Sequence, residues 1–207
     1  MIKKACAMAN HECGHLDDER TGYIIAACDE IIQGKLDCWF ITDVIQGGAG
    51  TSTNMNANEV VANRAAQLAG KALGVYDYIH PNDHVNFGQS TNDVFPTAGK
   101  LTALFLVEDL LEELMLLQEA LLDKSIEFND VIKLGRTHLQ DAVPIRMGQE
   151  FHAFATAIVR DIRRIKVAFS NLKSVNMGAT AVGTGINTDE RYKRICVKHL
   201  CDITQIE

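Results

Sequence analysis

Proline is scarce in this chain, with 3 residues in 207, while 47% of residues are hydrophobic and 23% charged. That balance excludes a disordered or fibrous chain and leaves a globular one with a core of its own. Excess positive charge is also missing. The 20 basic residues stand against 27 acidic ones, a net charge of −7, which argues against sequence-independent binding to nucleic acid. A small anionic substrate is not excluded, because local hydroxyls, amides and helix ends bind carboxylates. A membrane span needs about 20 apolar residues. The most apolar run, Leu101 to Val107, ends at Glu108 and Asp109, so no membrane is expected. The opening Met1-Ile2-Lys3-Lys4 reaches Asn10-His11-Glu12 too soon for the apolar region of a secretory signal, and a cytosolic protein is expected. None of the 6 cysteines forms a C-x-x-C pair, so a disulfide framework is not expected either. The tract His11-Glu12-Cys13-Gly14-His15 brings no second ligand pair at zinc-site spacing and reads as a solvated helix end. No metal is expected.

What remains is almost wholly helical periodicity. Helices are expected over about 2–13 and 19–33, the second carrying Ile24, Ile25, Cys28, Ile31 and Ile32 on one stripe with Gly34 as its C-terminal stop. An irregular stretch follows from Leu36 to Gly50, then a helix from Asn54 to about Leu68. Residues 70–88 read as loop, with a turn at His80-Pro81-Asn82-Asp83. From about Asn92 to Phe128 one long helix is expected, with Pro96 placed in its first turn. At 1.5 Å per residue it is about 50 Å long, more than a compact domain of this size is wide. A second long pattern runs from about Arg146 to Val175. The leucines at 104, 106, 110, 111 and 114 exceed a single seam, so the helix requires neighbours on several sides, which points to other subunits. The fold class expected is therefore all-α, an N-terminal helical region followed by long helices of a central bundle. The expected division is 1–90, part of an N-terminal domain, and 91–207, part of the long-helix domain.

Three polar clusters stand at helix ends. They are Gly47-Gly48-Ala49-Gly50-Thr51-Ser52-Thr53-Asn54, Gly88-Gln89-Ser90-Thr91-Asn92-Asp93, and Gly135-Arg136-Thr137-His138-Leu139-Gln140-Asp141. One capping residue would suffice structurally at each helix start. There is no nucleophile elbow, phosphate loop or dinucleotide fingerprint. Hydroxyls, carboxamides and one imidazole suit the recognition of carboxylates and the stabilisation of an oxyanion. Spacing and composition carry the reading that far.

The runs GGAGTSTNMNANEVVANRA (47–65), HPNDHVNFGQSTNDVFPTA (80–98), LGRTHLQDAVPIRMGQEF (134–151) and VNMGATAVGTGINTD (175–189) closely resemble the aspartase/fumarase superfamily. Ala49 in the first run, Asp77 before the His80 turn, and the stretches 74–78 and 176–181 lean towards the aspartate ammonia-lyase branch rather than class II fumarase. The resemblance implies reversible elimination of ammonia from L-aspartate to give fumarate, through a dianionic aci-carboxylate formed when a base removes a Cβ proton. It assigns Thr51, Ser90 and Thr91 to the carboxylate that becomes the enediolate. Asn92 and Thr137 fall to the amino group, and His138 to the other carboxylate. It implies no organic cofactor, a dicarboxylate as ligand, and a homotetramer whose sites are built from three subunits. The family's catalytic serine sits on a G-S-S-x-M-P-x-K-x-N loop that does not occur in these 207 residues. No catalytic base is therefore assigned here, the chain resembles a middle piece of a lyase subunit, and by itself it is expected not to turn over aspartate.

Overall fold

A computed structural model describes residues 1–207. Its order is α1 (Ile2–Glu12), α2 (Asp18–Ile32), α3 (Thr51–Leu68), α4 (Thr91–Glu127), β1 (Ile132–Thr137), β2 (Gln140–Arg146), α5 (Met147–Ser170) and α6 (Tyr192–Thr204). Short 3-10 turns occupy Asp37–Trp39 and Asn171–Lys173, and a π-helical turn spans Pro81–Val85. The protein is thus mostly helical, as expected. The chain divides into two compact units, residues 1–100 with 174–207, and residues 101–173.

In the first unit, α1 packs against α2 and α6, and α2 against α3. Alanines 5, 7 and 9 on α1 are fully buried, and side chains that small let neighbouring helices approach on more than one side. Ile24, Ala27 and Cys28 of α2 join Val61, Ala62 and Ala65 of α3 with Ile79 and Val85 in one core. Of the expected α2 stripe, Ile24 and Cys28 are buried, whereas Ile32 lies at the rim, 41% exposed. Helix α2 starts at Asp17, whose carboxylate accepts from the Arg20 amide at 2.8 Å, with Asp18 and Glu19 favourably placed in the first turn. Gly34, at φ +73°, ends it. The Gly34 amide donates to the Ile31 carbonyl and the Lys35 amide to Glu30, at 3.0 and 3.1 Å, the paired bonds of a Schellman stop. Gly14 and Gly70 close α1 and α3 in the same way. The tract 11–15 is that first helix end. His11 Nδ1 lies 3.1 Å from the Leu16 carbonyl, and His15 rests on the Phe87 ring.

Several expectations shift. Helix α3 begins at Thr51 rather than Asn54, because Gly50, at φ +87°, already brings the Asn54 amide to its carbonyl at 2.9 Å. The turn at His80 is a π-helical one, started by His80 Nδ1 accepting from the amides of Asn82 and Asp83 at 3.2 Å. Pro96 is not in the first turn of α4 but at the sixth position, where it leaves the Asn92 carbonyl without its helical donor.

In the second unit, the stretch between the long helices is an antiparallel hairpin, Thr137 facing Gln140 and Ile132 facing Arg146. It was not expected from the sequence. Gly148 seats α5 against the end of α4. Its amide donates to the Phe128 carbonyl at 3.0 Å, and an added Cβ would meet the Ser125 carbonyl oxygen at 2.2 Å. Of α4's residues beyond Lys100, Leu101, Leu104 and Val107 are buried, while Leu106, Leu110, Leu116 and Leu117 remain 46–64% exposed. No helix is long and apolar enough to cross a membrane.

Candidate functional site

Two of the three polar clusters meet in the first unit. The first, at the head of α3, bends through Ala49 (φ +50°) and Gly50 (φ +87°), and no side chain caps the helix. The Thr51 amide turns back to the Gly48 carbonyl at 3.0 Å, and the positive end of the helix dipole lies at Thr51. The second, at the head of α4, carries its own reciprocal cap. The Asn92 amide donates to Ser90 Oγ at 3.2 Å, while the Ser90 amide donates to Asp93 Oδ1 at 2.9 Å. Ser90 thus serves the ordinary capping role, and its hydroxyl proton remains to be given to a ligand.

Asn54 joins the two heads. Its Nδ2 lies 3.2 Å from Thr91 Oγ1 and 3.3 Å from Asn86 Oδ1. With Thr91 Oγ1 accepting from Asn54, its O–H points away as a donor. The Oδ1 of Asn54 is buried without a partner, and so is that of Asn58 one turn later. Beneath this pair lies Lys3, whose Nζ donates to Asn86 Oδ1 at 2.9 Å and to Gln89 Oε1 at 2.8 Å. Burial pushes the Lys3 ammonium down to about 8, since a low-dielectric setting disfavours the charged form.

Residues 174–181 close over the start of α4. The Lys100 ammonium donates to the Ser174 carbonyl at 2.6 Å and to Asn176 Oδ1 at 2.9 Å, and the Thr180 amide donates to Asp93 Oδ2 at 3.1 Å. Asp93 is fully buried. Burial raises its carboxyl above the ordinary range, against the opposing amide bonds from Ser90 and Thr180. Asn92 Nδ2 donates to the Ala181 carbonyl at 2.7 Å. That fixes the amide's orientation and leaves its Oδ1 as an acceptor, suited to an ammonium or amino group.

Thr137 and His138 belong to the second unit, described by itself. They sit at the hairpin tip, where His138 (φ +51°) and Leu139 (φ +63°) form a two-residue turn with both centres left-handed. Asn-Gly is the usual choice there. A histidine followed by a 96% exposed leucine holds a conformation that side chains resist. Such local strain collects at functional positions.

Of the residues expected from sequence, Thr51, Ser90, Thr91 and Asn92 therefore share one unit, and the last three are consecutive at one helix head. Asn54, Asn86 and Lys3, which tie that head from below, were missed. The signal for Asn54 was its place one turn from Thr51 on the same helix face. Lys3 and Asn86 gave none, because their convergence is purely tertiary.

The profile of a family described as lyase matches residues 1–207. An aspartate ammonia-lyase of Bacillus sp. is 56% identical over 97% of this chain and 43% of its own length, and that of Bacillus subtilis is 53% identical over 99% and 43%. A class II fumarate hydratase of Halobacterium salinarum is 48% identical over the whole chain and 44% of its length. Among solved structures, a fumarate lyase:delta crystallin protein of Brucella melitensis superposes with a TM-score of 0.93 at 49% identity, covering all of this chain and 45% of that one. The class II fumarase of Schistosoma mansoni gives 0.91 at 38% identity, over 99% and 43%. The chain thus spans under half the length of the curated relatives it matches.

Proposed function

The chain belongs to the lyase family, within the aspartase/fumarase superfamily, and on that premise we propose that it is part of an aspartate ammonia-lyase that converts L-aspartate reversibly to fumarate and ammonia. The observation that carries this reading is the Asn54–Thr91 junction, which sets the uncapped head of α3 beside the hydroxyl-rich head of α4. Donors fixed in place before the reaction suit a dianionic enediolate, because they need no reorganisation as its charge develops.

In this reading Thr51, Ser90 and Thr91 hold the carboxylate that gains the negative charge. Proton loss from Cβ is otherwise prohibitive, so stabilising that charge supplies much of the rate. Asn92 Oδ1 and Thr137 receive the amino group, and His138 receives the second carboxylate. The proton-abstracting serine belongs to a loop outside these 207 residues. The residues here bind and polarise, and no cofactor takes part. The exposed leucines of α4 pack against further copies in a homotetramer, which is where residues 91–207 would form one long-helix domain beside an N-terminal domain that includes 1–90.

A second reading, class II fumarase, has the 48% identical hydratase in its support. Ultraviolet absorbance of fumarate separates the two. The protein that carries this chain together with the serine loop is expected to form fumarate from L-aspartate. Formation from L-malate alone would select the hydratase, and formation from neither would overturn both. The 207 residues by themselves are expected to form none.

A further inference from the structure

Away from the polar heads, the α1–α6 contact encloses two thiols that the proposed reaction does not use. Cys6 Sγ and Cys196 Sγ lie 3.7 Å apart, and both residues are fully buried. Both are free thiols, 190 positions apart in sequence. Their surroundings are small or functional. Ala5 and Ala9 flank Cys6 on α1, and Lys3 stands one turn before it with its ammonium acting on the sulfur. The fourth component is Tyr192, 1% exposed, whose hydroxyl is buried without a hydrogen-bond partner. The groups that act on that hydroxyl most strongly are Cys6 and Cys196. That hydroxyl faces the sulfur pair.

We propose that Cys6 and Cys196 form a peroxide-oxidisable pair, in which Cys6 is the attacking thiol, Cys196 the resolving thiol, and Tyr192 the donor to the oxygen placed on Cys6. The chemistry balances in two steps. The Cys6 sulfur, on losing its proton, attacks one oxygen of hydrogen peroxide. The O–O bond breaks, the proton goes to the departing hydroxide as water, and Cys6 becomes a sulfenic acid. The Cys196 sulfur then attacks the Cys6 sulfur, the S–O bond breaks, and a second water leaves. Two thiols have been oxidised and one peroxide reduced to two waters.

Two features favour this order, and a third selects the oxidant. Lys3 stands one helical turn before Cys6 on α1 and is buried with it, so its ammonium favours the Cys6 thiolate against the burial that opposes ionisation. Cys196 is pushed upward by the hydrogen bond it shares with Cys6 and by burial. It therefore waits as a thiol until an electrophilic sulfur appears beside it. The oxidant must be small and neutral, because both sulfurs are closed to solvent, and this selects a hydroperoxide over a bulky disulfide. The product ties α1 to α6 covalently.

The test treats the folded chain with hydrogen peroxide, blocks the remaining thiols, and maps disulfides by mass spectrometry without reduction. The expected result is one cross-link, between the Cys6 and Cys196 peptides, with a raised melting temperature that falls back on reduction. In urea the preference for that pair disappears. Oxidation confined to the exposed Cys38, or the same cross-link yield in urea, would overturn the proposal. In Cys196→Ser the reaction stops at a sulfenic acid on Cys6, trapped by a dimedone-type probe, and trapping on neither residue would count against the order given. Tyr192→Phe, which keeps the ring, is expected to slow oxidation by about tenfold, a barrier change of about 1.4 kcal/mol. An unchanged rate removes the hydroxyl from the scheme.

Discussion

A Cβ placed on Gly50 would stand 2.4 Å from the ring of Phe95, so the heads of α3 and α4 touch through a position that tolerates no side chain. Gly50→Ala adds a left-handed penalty at φ +87° to this clash. A loss of about 3 kcal/mol is expected from the two together. Urea unfolding measures it, and the double variant with Phe95→Leu should recover part of the loss. Recovery of none would mean that the backbone conformation, not the ring, sets the cost.

Asn54→Ala removes the amide that bridges Thr91 and Asn86, so Thr91 Oγ1 loses its donor while Asn86 Oδ1 keeps only the Lys3 ammonium. A loss of about 1–2 kcal/mol is expected. Weaker fumarate binding should accompany it in the protein that carries the complete site. Stability lost with binding unchanged would leave Asn54 a purely structural residue.

Lys3 gives a pH signature. Its folded value of about 8 lies below the ordinary 10.5, so between those limits the unfolded chain binds more protons and stability rises with pH. The rise is about 3 kcal/mol across that window, and it is lost again as pH falls through 8. Lys3→Met lacks a titrating group, so the difference in unfolding free energy between wild type and variant should change across this window. It should be flat below pH 7. A difference independent of pH throughout would show that Lys3 keeps an ordinary value in the fold.

At the hairpin tip, Leu139→Gly relieves a left-handed leucine at φ +63° and is expected to stabilise the second unit by about 1 kcal/mol. Thr137→Val, next to it, keeps shape and removes a hydroxyl. In the complete lyase it is expected to lower activity at least tenfold with the melting temperature unchanged. Unaltered kinetics would remove Thr137 from the site.

Helix boundaries were legible where side chains or glycines set them. Gly34 announced its stop, and the polar run before Asn92 announced the start of α4 to within one residue, whereas α3 starts three residues before the expected Asn54. The hairpin was not legible. Residues 132–146 are mostly exposed, so no alternation of apolar and polar residues marks them, and Pro144 inside β2 argues against a strand. Its turn is His138-Leu139 where Asn-Gly would have been diagnostic. The chemistry was readable only as carboxylate recognition. The individual roles of Thr51, Asn92 and His138 came from resemblance, since nothing local distinguishes a ligand hydroxyl from a cap. The network under Thr91 joins positions 3, 54 and 86, and no sequence window holds all three.

The pairing of α1 with α6 also sets a schedule for synthesis. Residues 2–12 leave the ribosome about 180 residues before the helix that covers them, which begins at Tyr192. At roughly 5–20 residues per second, α1 waits on the order of 10–40 s with its alanine and cysteine face open to water and to other nascent chains. Interactions so distant in sequence also close slowly. A holdase chaperone that protects residues 2–12 should therefore raise soluble yield more than one that binds near residue 200.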